Sequence, residues 1–186
     1  RADQVGVGSS RVAFAIPYQG RTTILKIAKN RKGMAQQELE ADVLSDGYHG
    51  NRGITIPLID YDERNPMPTW IHTEFAERVR STNQLEQLIN KFNNTVINDA
   101  SFSMDNIAYY INQMQTGRGG FFGRPNEDQL EALQNNVFVE RLTELVMDYD
   151  LAVADLTRKA NWGIYKGKPV LIDLGANNDI IKTFYQ

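Results

Sequence analysis

Apolar residues alternate with small or polar ones along the first part of the chain and recur at helical spacing further on. After a glycine-spaced turn opening at Val5, residues Val12, Phe14 and Ile16 alternate with smaller side chains, the period-2 signature of a half-buried strand. Tyr18-Gln-Gly-Arg reads as a turn, and Thr22 to Ala28 as a second strand. Met34 to Leu44 consists of strong helix formers, with Leu39 and Val43 on one face and Met34, Gln37 and Glu40 on an adjoining one. A loop rich in Gly, Asn and His over 48–53 leads to a strand from Ile54 to Tyr61, which Pro57 assigns to a sheet edge or a bulge. Thr69 to Ala76 is a further strand.

From Ser81 the period becomes helical. Ser81 or Thr82 caps a helix over 84–92 that puts Leu85, Leu88, Ile89 and Phe92 on one face. A second helix begins at Ser103 and runs through Gln115, followed by a connection with four glycines that ends at Pro125. Asn126 then caps one long helix reaching about Tyr149, with Leu130, Leu133, Val137, Leu142, Leu145 and Val146 at core spacing. Gly163-Ile-Tyr and Val170-Leu-Ile flank a Lys-Gly-Lys-Pro turn and form a hairpin. The layout is α+β: a strand-rich part with one helix over 1–77, and a mainly helical part ending in a hairpin over 78–186. The boundary falls between Phe75 and Ser81.

Two groups of residues stand out from these patterns. Asn161 precedes the first hairpin strand, Asp173 follows the second, and a loop carrying Asp155 lies beside them. Oxygen-bearing side chains converging at one strand end suit Mg²⁺ with phosphate, since Mg²⁺ takes hard oxygen ligands and usually only one or two carboxylates. The alternative is a surface hairpin flanked by ordinary turn-forming Asp and Asn. Lys26 sits inside an apolar run, where a lysine calls for an ionic partner. Glu40 is a candidate, with Glu38 as its competitor; the alternative is an edge-strand lysine whose ammonium reaches water.

Composition narrows the classes. A chain of 186 residues accommodates one domain, or two small lobes sharing a cleft. Its 41% apolar and 23% charged residues are those of a globular protein, and a net charge of -3 argues against a general nucleic-acid coat. Absence of cysteine excludes disulfides and thiolate zinc sites and suits an intracellular location. No run reaches the ~20 apolar residues of a membrane span, and no signal peptide is expected. The first residue, Arg1, is not methionine, so the chain is expected to be trimmed, processed or incomplete.

In order along the chain, these features resemble the protein-kinase-like fold. Gly6-Val-Gly8-Ser9-Ser10-Arg11-Val12 resembles the glycine-rich loop over ATP phosphates. Lys26 in Ile-Leu-Lys-Ile-Ala is similar to the strand lysine of that fold, Glu40 to its helix partner, and Thr73-Glu74-Phe75-Ala76 to the hinge that meets adenine. Asp155 resembles the catalytic-loop aspartate, Asn161 the metal-binding asparagine, and Asp173-Leu-Gly175 the Asp-Phe-Gly motif. Ser-Ser-Arg-Val, Leu-Lys-Ile-Ala-Lys-Asn-Arg-Lys-Gly, Asn-Trp-Gly and Val-Leu-Ile-Asp are more narrowly similar to small kinase-like proteins of tailed bacteriophages.

The resemblance implies a bilobal fold with a truncated C-lobe that binds ATP and Mg²⁺. Lys26, Glu40 and Asp155 would be its catalytic residues, and Gly6, Gly8, Ser9, Ser10, Lys26, Glu74 and Ala76 its nucleotide contacts. Asn161 and Asp173 would be the metal ligands, with Arg158 or Lys159 near the γ-phosphate. It implies phosphotransfer, or alternatively an inactive pseudokinase serving as a phage structural or host-interaction module. Either way a protein partner from phage or host is expected, in the host cytoplasm or the phage particle. Membrane and nucleic-acid partners are not indicated. The departures are specific: Arg11 replaces the third glycine, Ala154 precedes Asp155, and Leu174 replaces Phe. Asp155 and Asn161 are six residues apart where kinases have five. Eleven residues follow Gly175, so an activation segment and a helical platform for peptide are not expected in this chain.

Overall fold

The computed structural model describes residues 2–92 and 102–185; Arg1 and the side chain of Phe92, which the pattern puts on a helix face, lie outside the described residues. The fold is mixed α+β and divides into two compact units, Arg1–Ala76 with Ala176–Gln186, and Glu77–Gly175.

The first unit is built on an antiparallel sheet of five strands in the order β1-β2-β3-β5-β4. They are β1 (Asp3–Val7), β2 (Arg11–Tyr18), β3 (Arg21–Ala28), β4 (Leu58–Tyr61) and β5 (Trp70–Glu74). The β2–β3 turn puts Gln19 and Gly20 at φ +49 and +77, the primed-turn geometry that matches strand twist. Strand β4 is an edge strand that begins just after Pro57, and its pairing slips between Leu58 and Asp60, as the proline suggested. Gly6 differs from expectation: it lies within β1, opposite Ala13, so the turn proper begins at Gly8.

Helix α1 (Arg31–Ser45) starts before the predicted Met34 because Asn30 caps it, its side chain accepting from the Gly33 N–H at 3.0 Å. It lays Leu39, Ala41, Val43 and Leu44 into the core with Ile71 of β5. Each large side chain so buried is worth roughly 1.5–3 kcal/mol. The last described residues form α7 (Asn178–Phe184), to which the apolar pattern had assigned no element. It packs on α1, and Lys32 places its ammonium 3.5 Å from the centre of the Tyr185 ring.

The second unit contains α2 (Thr82–Phe92), α3 (Met104–Thr116), α4 (Glu127–Gln134), α5 (Val137–Asp148) and α6 (Val153–Leu156). They accompany a small sheet ordered β6-β7-β8, with β6 (Glu77–Arg78), β7 (Trp162–Tyr165) and β8 (Lys168–Leu171). Ser81, not Thr82, caps α2, Asn126 caps α4 as predicted, and Ser103, from which a helix was expected to begin, lies just before α3 as its cap. The single long helix expected after Asn126 is instead two. Buried Asn136 has an extended backbone, and its side chain accepts from the N–H groups of Phe138 and Val139 at 3.0 Å, so it ends one helix and caps the next. That break changes the helical phase. Val137, expected in the core, is exposed, while Leu133, Leu142, Leu145 and Val146 are buried.

The hairpin turns at Lys166-Gly167 alone, with φ +48 and +78, so Lys168 and Pro169 belong to strand β8. Pro169 is tolerated because β8 is an edge strand. Asp155, expected in a loop, stands in the short helix α6.

Candidate functional site

The first unit holds a buried charge cluster, and strand register explains it. Lys26 of β3 lies opposite Ala13 of β2, so the two side chains share a sheet face; Arg11, two residues before Ala13, shares it as well. That is the face α1 covers, and Glu40 projects from α1 into it. One Glu40 carboxylate oxygen accepts from the Lys26 ammonium, and the other accepts from Arg11 Nη1 at 2.6 Å. Glu40 is 1% exposed, Lys26 8% and Arg11 9%, so all three charges are inside the protein. The competitor Glu38 is exposed on the other side of the helix.

The turn that precedes Arg11 is docked on the start of α1. Gly8 N–H donates to the Arg11 carbonyl at 2.8 Å, and Lys29 N–H to the Ser10 carbonyl at 2.8 Å. Asn30 Nδ2 donates to the Ser9 carbonyl at 3.1 Å, Lys29 Nζ to the Gly8 carbonyl at 3.0 Å, and the Ser10 hydroxyl to Gln36 at 2.6 Å. Gly33 makes the approach possible, since a Cβ there would sit 2.1 Å from the Ser10 carbonyl oxygen. Of the residues expected at the hinge, Glu74 ends β5 and takes a forked ion pair from Arg21, closest at 2.6 Å; Ala76 is half-buried at the end of the unit.

The second unit brings Asp155, Asn161 and Asp173 together. Trp162 is fully buried, its indole N–H donates to the Leu156 carbonyl at 2.8 Å, and its ring lies beside Phe138. This bond folds residues 156–162 back on themselves. It places Asn161 so that Nδ2 donates to the Asp155 carbonyl at 2.9 Å. The Asn161 carbonyl in turn accepts from the N–H groups of Ile172 at 2.8 Å and Asp173 at 3.3 Å. Asp173 Oδ1 accepts from Gly175 N–H at 2.9 Å. Gly175, at φ +71, lies against Asp155: a Cβ there would be 2.1 Å from Asp155 Oδ2.

Asn161 gives its amide hydrogen to Asp155 and keeps its amide oxygen as an acceptor, which with the Asp173 carboxylate makes a hard-oxygen donor set. Among the described residues no group of three or more His, Cys, Asp or Glu is arranged to hold a metal. A pair of oxygen ligands could serve an ion such as Mg²⁺, which usually takes one or two carboxylates and fills its shell with waters and phosphate oxygens. The basic pair of the loop is engaged locally: Arg158 meets Asp155 Oδ1 at 3.2 Å, and Lys159 Nζ donates to the Arg80 carbonyl at 2.9 Å.

Arg11 is the site residue that pattern reading passed over, having marked it only as an intruder in a glycine position. Its place two residues before Ala13 on a face shared with Lys26 was the available signal. Gly33 gave none, because its tight contact comes from a segment more than twenty residues away.

No protein-family model matches the sequence, and no curated protein does. Among solved structures the chain is similar to the crystal structure of aminoglycoside phosphotransferase APH(4)-Ia, with 15% identity and a TM-score of 0.46. The match covers 94% of this chain and 66% of that one. A likeness this distant assigns no residue a role. Among the described residues no helix is long and apolar enough to cross a membrane.

Proposed function

We propose that the chain is a kinase-like protein that binds a nucleoside triphosphate together with Mg²⁺. The observation that carries this reading is the buried Lys26–Glu40 pair, formed between a strand and the helix that follows it, with Glu40 chosen over Glu38. Buried ion pairs are weak devices for stability, so a lysine and a carboxylate kept inside a small sheet unit point to use. In this reading Lys26 takes the α- and β-phosphates, the turn at Gly8, Ser9 and Ser10 lies over them, and backbone groups at Glu74 and Ala76 meet the base. Asn161 and Asp173 hold Mg²⁺, which when bound supplies charge neutralisation at the phosphates. Asp155 orients the acceptor hydroxyl.

A second reading, a nucleotide-binding module without turnover that serves a phage or host protein partner, draws on one observation. The Asp155 carboxylate is paired with Arg158 and packed against Gly175. Both readings predict that ATP with Mg²⁺ raises the melting temperature. Ligand at a hundred times its Kd adds about 2.7 kcal/mol, which in a chain of this size is a shift of roughly 5–10 °C. Asp173→Ala should remove the Mg²⁺-dependent part while changing the unliganded melting point by only a few degrees. Release or transfer of labelled γ-phosphate then separates the two readings. No thermal shift at millimolar ATP sinks both.

A further inference from the structure

The connection between α3 and α4 carries an exposed aromatic ring between two arginines. We propose that it is a contact site for an unpaired strand of nucleic acid, with Phe121 stacking on a base and Arg118 and Arg124 taking the flanking phosphates. Phe121 is 109% exposed, so both faces of its ring are open to solvent, while its neighbour Phe122 is half-buried. A large apolar side chain left wholly in water contributes no burial to the fold. Arg118 and Arg124 stand three residues to either side and are exposed. Among the described residues neither guanidinium makes an ion pair or a hydrogen bond. Three residues span at most about 11 Å of chain, so the ring and both cations lie within reach of consecutive nucleotides.

Helix α3 holds this loop in shape. Asn112 Nδ2 donates to the Arg118 carbonyl at 2.6 Å, Arg118 N–H donates to the Thr116 hydroxyl at 3.3 Å, and Asn106 Nδ2 donates to the Gly123 carbonyl at 3.1 Å. Gly119 lies so close to the Tyr109 ring that a Cβ would fall 1.8 Å from its Cε2. Phe121 is thus presented between two tied ends, and such preorganisation lowers the ordering cost of binding.

The surround of the ring selects the partner. A protein interface encloses its aromatic anchor in side chains that exclude water, whereas here the neighbours are Gly119, Gly120 and Gly123 with the two arginines. An anionic membrane needs more apolar area or more cations than one phenyl and two guanidinium groups provide. A base needs only a bare π-face, and glycine lets sugar and phosphate come close to the backbone. A net charge of -3 argues against a general coat and leaves room for a local patch. The acids bordering the loop, Asp105, Glu127 and Asp128, stand in the first turns of α3 and α4, where the helix dipole offsets part of their charge.

Fluorescence anisotropy tests this, with labelled oligothymidylate and oligouridylate of about twelve nucleotides titrated with the full chain at low salt. Both strands should bind. Phe121→Ala should weaken each about tenfold, as expected for loss of one stacked base, and Phe121→Tyr should keep the affinity. Arg118→Gln combined with Arg124→Gln should weaken both and reduce the slope of log K against log salt by about 1.4, the value for two phosphates of a single strand. All three side chains are exposed, so each variant should melt within about 2 °C of the wild type. Absence of binding by the wild type, or an affinity indifferent to Phe121→Ala, overturns the proposal. So does sedimentation of the wild type, but not of Phe121→Ala, with phosphatidylserine vesicles when neither oligonucleotide binds, a result that assigns the loop to a membrane surface. No measurement here uses ATP, so the outcome is independent of the nucleotide reading above.

Discussion

The lysine cluster and the carboxylate cluster are built by opposite means. Lys26, Arg11 and Glu40 are held by one another: three charges, all buried, whose placement depends on a sheet face and a helix packed over it. Asp155, Asn161 and Asp173 are positioned mainly through backbone: a tryptophan anchor, a carbonyl that takes two N–H groups, and a glycine pressed against a carboxylate, with Arg158 paired to Asp155 from the surface. Charge held by charge is costly to break, because losing Glu40 takes the shared carboxylate from two cations buried in a medium that solvates them poorly. Charge held by backbone can be deleted at the side chain with little structural effect. The first cluster should therefore couple function to folding, and the second should not.

The largest expected effect follows directly. Glu40→Ala leaves two buried cations without their carboxylate and should cost about 3–5 kcal/mol, read as a fall in Tm of on the order of 10 °C in thermal denaturation. The mild response expected of Asp173→Ala is the counterpart. If Glu40→Ala melts like the wild type, the contrast between the clusters is broken.

A backbone change, not a side-chain deletion, should be what damages the second cluster. Gly175→Ala forces a non-glycine residue to φ +71 and drives a Cβ to 2.1 Å from Asp155 Oδ2; about 2–3 kcal/mol is expected, combining backbone strain with displacement of Asp155. Gly20 is the control. It has a similar φ of +77 with nothing within 4 Å of a new Cβ, so Gly20→Ala should cost only the backbone term, about 1 kcal/mol. Equal destabilisation of the two variants in urea titrations would show that the Asp155 contact is not what Gly175 provides.

The same distinction explains what the sequence revealed. Alternation at Val12, Phe14 and Ile16, helix starts at Ser81, Ser103 and Asn126, and the hairpin around Gly167 are local signals, and each begins where its pattern lay. The ordering of Asn161 and Asp173 about one hairpin was legible for the same reason. The break at Asn136 is hidden because Leu130 and Leu133 before it and Val137, Leu142, Leu145 and Val146 after it keep helical spacing across it, and only its own side-chain bonding reveals it. Strand β6 is two residues long, too short to carry a period. Arg11, Gly33 and Gly175 owe their roles to contacts across the fold, which no local window contains.

The smallest expected effect concerns how the sheet of the first unit buries polar groups away from its charge cluster. His72 of β5 lies next to Ile71, the residue opposite Lys26, and so faces the other side of the sheet. The Thr23 hydroxyl donates to the Ile16 carbonyl at 3.2 Å, so it accepts from His72 Nε2 at 2.7 Å, and the His72 and Tyr18 rings meet in a T-shaped contact. Burial holds the His72 pKa below its ordinary value, against the opposing pull of Asp60 and Glu74, with Arg21 adding to the depression. A histidine pKa depressed on folding means that the unfolded chain takes up its proton first as pH falls. Its contribution is therefore intact above about pH 6.5 and is lost as pH drops through the folded value. Asp62 is also held low, by bonds from Thr69 and Asn65, but that contribution disappears only below about pH 4. Melting temperatures taken from pH 7 to pH 5 should accordingly decline in the wild type and decline less in His72→Gln. Parallel curves would mean that His72 accepts its proton in place, and that this sheet tolerates an uncompensated charge on one face while requiring compensation on the other.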